Sequence, residues 1–376
     1  MGSGEIMSFT ALFLFFLCIL PPLFHLIRCR TIKEPLLNDS QSFLPDVTIL
    51  LPVRNESKVI TKKLDEIISM EYDTSKLRIL IVDSASEDQT GEIASDFLRS
   101  SKSEIPFDII TISELGKSIA VNRSLEEIDT DFFVMMDAES QSPNDTITKI
   151  INRFSNPDIG AVCGSQYLTK SNSEYAYRSR YNDIRRGESY LDSTPIFEGS
   201  ICAFRMSSIG SSRIDPSVNA DDSQLAILVR KNGFRAVMDT GVVFFDEQPF
   251  SRKRSVRRAQ GLTRILANNW RLCFGHKKYS KIFRNALYFY SIFPWILTMS
   301  FSLTFASIIL IFYQTPIGEL NIYLFAPQSV YFFLMLSQPG RGLFMGATIL
   351  MESHIRFLLG QRMHIWDPSS RPPIES

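Results

Sequence analysis

Acidic side chains in this 376-residue chain gather where apolar runs stop. The run FFVMMD (132–137) ends on Asp137, and Glu139 follows one residue later. RILIVD (78–83) ends on Asp83, and the pair Asp221–Asp222 opens a helical pattern in ADDSQLAILVRK (220–231). Carboxylates at D-x-E spacing suit a hard divalent cation, because Mg²⁺ and Mn²⁺ prefer oxygen ligands and bridge phosphates. An isolated D-x-E is more often a solvated turn at a strand end, and an isolated Asp pair is more often a helix cap favoured by the dipole. What favours chemistry here is the set of elements that delivers these residues.

VTILLPV (47–53), RILIVD (78–83), FDIITI (107–112) and FFVMMD (132–137) read as short buried strands, with helical stretches near 57–69, 88–100 and 117–127 between them. That alternation predicts an α/β sheet, mostly parallel, with helices on both faces. Ligands of such sheets bind beyond the carboxyl ends of the strands. The polar segments PVRNES, DSASEDQT, GKSIAVN and DAES all follow strands, so they share one rim. Neither G-x-G-x-x-G nor G-x-x-x-x-G-K-[ST] follows the first strand. Dinucleotide oxidoreductase and P-loop readings therefore lose their support. The remaining expectation is a nucleotide site built on carboxylates, with a metal carrying a diphosphate.

At these residues the chain resembles membrane-anchored family 2 glycosyltransferases of the GT-A fold. PVRNE (52–56) is similar to the P-x-x-N-E opening, and VDSASEDQT (82–90) resembles V-D-D-G-S-x-D-G-T with Ser84 at the second Asp. GKSIAVNRSL (116–125) is similar to G-K-x-x-A-L-N, and DAES to D-A-D-S with Glu139 at the second Asp. EGSICAFR (198–205) resembles G-x-x-x-A-F-R, and ADDSQLAILVRKNGFRAV (220–237) resembles T-E-D-x-x-L-x-x-R-x-x-x-x-G-y-r. The resemblance implies a doubly wound mixed sheet over 46–250. It further implies that Asp83 holds the nucleotide base, with Pro52, Asn55 and Glu56 shaping the same pocket. Lys117 would bind the nucleotide region, and Asp137 would also approach the donor ribose. Asp137 and Glu139 would carry a divalent metal, Mg²⁺ or Mn²⁺. Asp222 would be the catalytic base, supported by Asp221.

The chemistry expected from these parts is inverting transfer of a sugar from a nucleotide-diphosphate sugar, a UDP- or GDP-sugar, to a hydroxyl acceptor. A hydroxyl is a poor nucleophile at neutral pH and needs a carboxylate to take its proton. A lipid-linked glycan or polysaccharide acceptor fits that need. Alternatives are a polyprenyl-phosphate glycosyltransferase, a nucleotidyltransferase, and a catalytically silent GT-A scaffold in the membrane.

The flanks read as membrane-associated. The uncharged stretch 7–27 is long enough to span a bilayer, as is 287–313, and 321–338 is a shorter third span. Arg28, Arg30 and Lys33 follow the first span, which predicts a cytoplasmic catalytic domain after a linker at 28–45. The segment 341–376 is expected as an interfacial or re-entrant helix and cytoplasmic tail, and its HIWDPSSR (364–371) resembles the W-x-x-x-x-R tail of some membrane glycosyltransferases. The basic stretch 251–284 reads as amphipathic helices on an anionic leaflet, with Arg257, Arg264 and Arg271 recurring every seven residues. The family carries Q-x-x-R-W here; this chain has RRAQGLTR, leaving Arg257, Arg258 and Gln260 as candidate diphosphate or acceptor contacts. Membrane lipids are expected partners and nucleic acid is not. Forty basic and forty acidic residues balance, and five scattered cysteines without a C-x-x-C point to a reducing compartment.

Overall fold

The computed structural model describes residues 3–32, 43–167, 173–246, 251–275, 278–316, 325–361 and 363. Most of the expected linker and the HIWDPSSR tail lie outside them.

Seven strands form one sheet in the order β3-β2-β1-β4-β6-β5-β7. They are β1 (Val47–Val53), β2 (Leu77–Ser84), β3 (Phe107–Ile112), β4 (Phe132–Met136), β5 (Ile159–Gln166), β6 (Ile201–Arg205) and β7 (Arg235–Phe244). The first four are parallel, β6 runs antiparallel to β4 and β5, and β7 is parallel to β5. The sheet is therefore mixed, as the resemblance implies. All seven residues of β1 are buried, which suits a continuous apolar run covered on both faces.

Alternation along the strands divides the core. Ile49 and Leu51 point to the face covered by α2 (Ile60–Ile68), α3 (Thr90–Ser100) and α5 (Thr146–Asn152), packing with Leu64, Ile67, Leu98 and Ile150. Leu50 points the other way, with Val121 and Leu125 of α4 (Lys117–Glu127). Beyond α6 (Ser173–Leu191) and the short α7 (Met206–Ile209), helix α8 (Asp221–Lys231) closes that face with Leu225 and Val229.

Register then fixes the rim. Val53 pairs with Asp83 and Leu50 with Met135, so β1, β2 and β4 end together. Because β6 is antiparallel, with Ile201 opposite Met136, it begins where β4 ends, and Asp137 N–H donates to the Ser200 carbonyl at 3.1 Å.

A third core joins this domain to a helical layer. Phe15 of α1 (Ser3–Thr31) and Ile184 of α6 pack with Ile265 of α9 (Arg252–Asn269), Phe283 of α10 (Lys281–Ser291) and Leu297 of α11 (Phe293–Gln314). α10 and α11 run on as Lys281–Gln314, which is long and apolar enough to cross a membrane, and a shorter apolar stretch, Gly4–Leu17, lies in α1. Within the third expected span the described residues form α12 (Ala326–Leu336), 11 residues long. It breaks at Ser337, and α13 (Gln338–Leu358) packs back against α9, with Glu352 2.7 Å from Arg252. Within the basic stretch, α9 stops at Asn269 and α10 starts at Lys281.

α1 and α6 touch closely. A Cβ on Gly187 would lie 2.2 Å from the Cys29 carbonyl oxygen, and one residue on, buried Glu188 meets buried His25 at 2.7 Å. Gly187→Val is expected to force the helices apart and destabilise the chain by about 1–3 kcal/mol. Thermal unfolding of the solubilised full chain checks this; an unaltered midpoint would contradict the close packing of α1 on α6.

Candidate active site

The turns after β1 and β2 are stitched to each other. Asn55 takes a left-handed φ of 52°, its N–H donates to Ser86 Oγ at 2.9 Å, and its Oδ1 accepts from Glu87 N–H at 2.8 Å. Glu56 N–H donates to Thr90 Oγ1 at 2.8 Å. Asp83 is buried at the end of β2 and accepts from Ser86 N–H at 3.0 Å. Gly91 lies against it, where a Cβ would come within 3.0 Å of Oδ2.

Ser84, which stands where the family carries a second Asp, has a positioning role that sequence reasoning missed. Its hydroxyl donates to the Glu114 carbonyl at 2.7 Å and accepts from Gly116 N–H at 3.2 Å. Gly116 adopts φ 149°, a conformation that side chains disfavour, and starts α4 on Lys117. The β2 end thereby aims the lysine.

Lys117 Nζ donates to Asp137 Oδ1 at 2.7 Å and lies 3.6 Å from Asp221 Oδ2. Burial disfavours its charge, but Asp137, Asp221 and Asp222 outweigh this and hold its pKa above the ordinary lysine value. Asp221 and Asp222 occupy the first turn of α8, behind Ala220 at φ 75°. The cap position belongs to Ala220, which makes no side-chain cap bond, so neither aspartate acts as the N-cap. Asp222 is 9 % exposed. Burial first, then the Asp221 charge, push its carboxyl up to about 7, while Lys117 and the Ser223 N–H at 2.7 Å pull the other way. A shift of that size corresponds to ~4 kcal/mol of bias towards the protonated form.

One cavity of about 440 Å³ brings these groups together: Lys117, Asp137, Glu139, Asp221 and Asp222 on the sheet side, with Pro52 and Glu56 from the first turn. Asn55 and Asp83 stand outside its lining, in the stitched turns beside Glu56. α9 supplies Arg257 and Arg258, and also Arg254, which sequence reasoning missed although it lies one turn before them. The basic face of α9 thus points into the cavity, not only at a leaflet. Arg264 likewise turns inward, donating to the Ser217 carbonyl at 2.7 Å. Gln260 is not at the cavity: its amide donates to the Gln361 carbonyl at 3.0 Å and accepts from Met363 N–H at 2.8 Å, tying the C-terminal segment to α9. Two further lining residues went unread in the sequence, Arg185 and Glu198, 2.6 Å apart. The signal available was that Glu198 directly precedes the matched strand motif.

Among the described residues no group of three or more His, Cys, Asp or Glu side chains could hold a metal ion. Asp137 and Glu139 line the cavity as a carboxylate pair. A hard cation is commonly held by one or two carboxylates together with substrate phosphates. The donor set fits a cation that binds together with a diphosphate, and Asp137 keeps Oδ2 beyond the oxygen that accepts from Lys117.

Lys117→Met is expected to leave the rim carboxylates without this cation and to destabilise the fold by about 1–3 kcal/mol. The Asp222 carboxyl, already raised, then rises further above its unfolded value, so stability is lost as pH rises through it. The thermal midpoint of the variant should fall between about pH 5 and about pH 8 more steeply than that of the wild type. Parallel pH profiles would contradict the arrangement.

Residues 48–211 match the family profile described as Glycosyl transferase family 2. The poly-beta-1,6-N-acetyl-D-glucosamine synthase of Staphylococcus epidermidis is 26% identical over 171 residues, covering 43% of this chain and 40% of that protein. The synthase of the same name from Staphylococcus aureus is 25% identical over 191 residues, 49% of this chain and 44% of that protein. The chain thus spans less than half the length of these curated relatives. Among solved structures, a mannosyltransferase from Pyrobaculum calidifontis in complex with GDP-Man and Mn²⁺ superposes with a TM-score of 0.78 at 24% identity, covering 95% of this chain and 99% of that one. With its matched motifs set in order around a mixed seven-stranded sheet, the chain has the GT-A fold, and its residues 48–211 match the glycosyl transferase family 2 profile.

Proposed function

We propose that the chain transfers a sugar from a nucleotide-diphosphate sugar to a hydroxyl acceptor at a membrane surface, with inversion. The observation that carries this reading is Asp222. It is a buried carboxyl raised to about 7, in the cavity that also contains the Lys117–Asp137 pair. A general base works best with a pKa near the operating pH. One base on one side of the reacting carbon and one leaving group on the other give a single displacement.

In this reading Asp222 takes the proton of the acceptor hydroxyl as the hydroxyl oxygen attacks the anomeric carbon. Asp221 stands 3.6 Å from Lys117 and helps to raise the pKa of its neighbour. The stitched turns carrying Pro52, Asn55, Glu56 and Asp83 receive the nucleotide base. A divalent cation at Asp137 and Glu139 would supply Lewis-acid stabilisation to the departing diphosphate. Lys117 adds fixed positive charge on the same side, and Arg257 and Arg258 contact either that diphosphate or the acceptor. The reading gives this chain a nucleotide sugar and metal of the kind named for the Pyrobaculum protein. A phosphate acceptor arrives already ionised and needs no base, so the raised Asp222 carboxyl favours a hydroxyl over a polyprenyl phosphate as the attacking group. A silent scaffold gives no account of why Lys117, Asp137, Glu139, Asp221 and Asp222 converge on one cavity.

The apolar α10–α11 stretch and α1 anchor the chain, and Arg28 and Arg30 at the end of α1 set the catalytic domain on the cytoplasmic side.

Asp222→Asn is expected to lower the transfer rate about 10²–10⁴-fold. Nucleotide-sugar binding, measured on the same preparation, should change by less than about threefold, since the base acts on the acceptor. A variant that transfers at the wild-type rate would show the base to be another group. In the wild type, kcat/KM should climb as pH rises through about 7, because the anionic form of Asp222 grows over that interval. A rate that falls over the same interval would contradict the assignment.

A further inference from the structure

The cavity of the rim carboxylates does not end at the sheet; its wall continues onto the helices of the membrane layer. Along α9 the lining residues change character, from Arg254, Arg257 and Arg258 to Leu262 and Leu266. Residues three and four apart share one helix face, and the distance from the first of these to the last is roughly 18 Å. The arginine end lies beside the carboxylates, because Asn219, two residues before Asp221, donates to the Arg257 carbonyl at 2.9 Å. The contact is close: a Cβ on Gly261 would meet Asn219 Oδ1 at 2.2 Å. Met345, Ile349 and Leu350 of α13 complete the apolar part, with Pro294 at the start of α11. The same α11 belongs to the stretch able to cross a membrane.

Carboxylates, then guanidinium groups, then aliphatic side chains have the polarity sequence of an amphiphile. A soluble glycan gains little from Leu, Ile and Met walls, whereas an isoprenoid or acyl chain gains with every methylene it buries there. Guanidinium groups recognise phosphate by paired N–H donors.

Resting on the sugar-transfer reading above, we propose that this limb of the cavity binds the acceptor's lipid carrier. The carrier is a phosphate-bearing long-chain lipid, with its chain between α9, α11 and α13 and its phosphate against Arg254, Arg257 and Arg258. The glycan it carries reaches Asp222. The acceptor class is thus a lipid-linked glycan drawn from the bilayer, not a free polysaccharide end.

The test uses the full chain in lipid nanodiscs, illuminated with a photoreactive polyprenyl phosphate, with labelled peptides mapped by mass spectrometry. Label is expected on α9 and α13. Unlabelled polyprenyl phosphate should displace it, the alcohol lacking phosphate should need roughly tenfold more, and a soluble oligosaccharide should not displace it. Leu350→Trp, which narrows the limb, and Arg254→Gln, which removes a phosphate contact, should each lower capture roughly tenfold at a matched thermal midpoint. If Leu350→Trp does not fold, the wild-type competition series decides alone. Label confined to outward residues such as Phe13 and Phe305 and indifferent to competitors would overturn the proposal, leaving only bulk lipid contact. Displacement by the soluble oligosaccharide would overturn it in favour of a glycan in the limb. Capture requires no donor, whereas metal-dependent hydrolysis of a nucleotide sugar by the wild type requires no lipid. Loss of that hydrolysis would remove the sugar-transfer reading, and loss of specific capture would remove the lipid site.

Discussion

One ammonium group organises the rim. Lys117 Nζ lies between Asp137, which terminates β4, and Asp221, which begins α8, at 2.7 and 3.6 Å. Unit charges about 4 Å apart near a protein surface interact by ~4 kcal/mol at an effective dielectric constant near 20. Without that attraction, strand ends and a helix start bearing several carboxylates would repel each other across the cleft. The lysine is held by backbone geometry upstream, through the Ser84 hydroxyl and the Gly116 turn. Its charge is shared unequally: Asp137 and Asp221 have it close, and the buried carboxyl of Asp222 stays raised towards neutrality.

The strands and their polar turns were legible because buried parallel strands are continuous apolar runs, and whatever chemistry they deliver must follow them. RILIVD and FFVMM show this plainly, and their ends set the places of Asp83 and Asp137. The lysine as immediate partner of Asp137 was harder to read. A D-x-E pair signals a cation by its spacing, while a lysine twenty residues earlier in the chain becomes its neighbour only through the parallel crossover. Ser84 appeared as a departure from a pattern, and its role emerged only from hydrogen bonds to a separate loop.

The helical layer was the least legible part. A basic amphipathic helix has the same periodicity whether its cations meet lipid headgroups or a cleft, so Arg254, Arg257 and Arg258 could not be placed from the pattern of α9. Hydropathy likewise reads through Ser337, where the chain turns from α12 into α13 and folds back towards the carboxylate-lined cavity. Gln260, matched by residue type to a contact motif, instead holds Gln361 and Met363, because its side chain leaves α9 on the face away from the carboxylates. The consequence is a single cavity walled by both layers, in which polar chemistry and apolar burial are neighbours.

Calorimetric titration of the full chain with a nucleotide sugar, in the presence and absence of Mn²⁺, compares the carboxylate rim most directly with any other donor site. The account predicts heat of binding only when the cation is present, and its loss in Asp137→Asn titrated at a temperature where that variant remains folded. Equal binding with and without Mn²⁺, undiminished in that variant, would mean that the donor diphosphate does not meet these carboxylates.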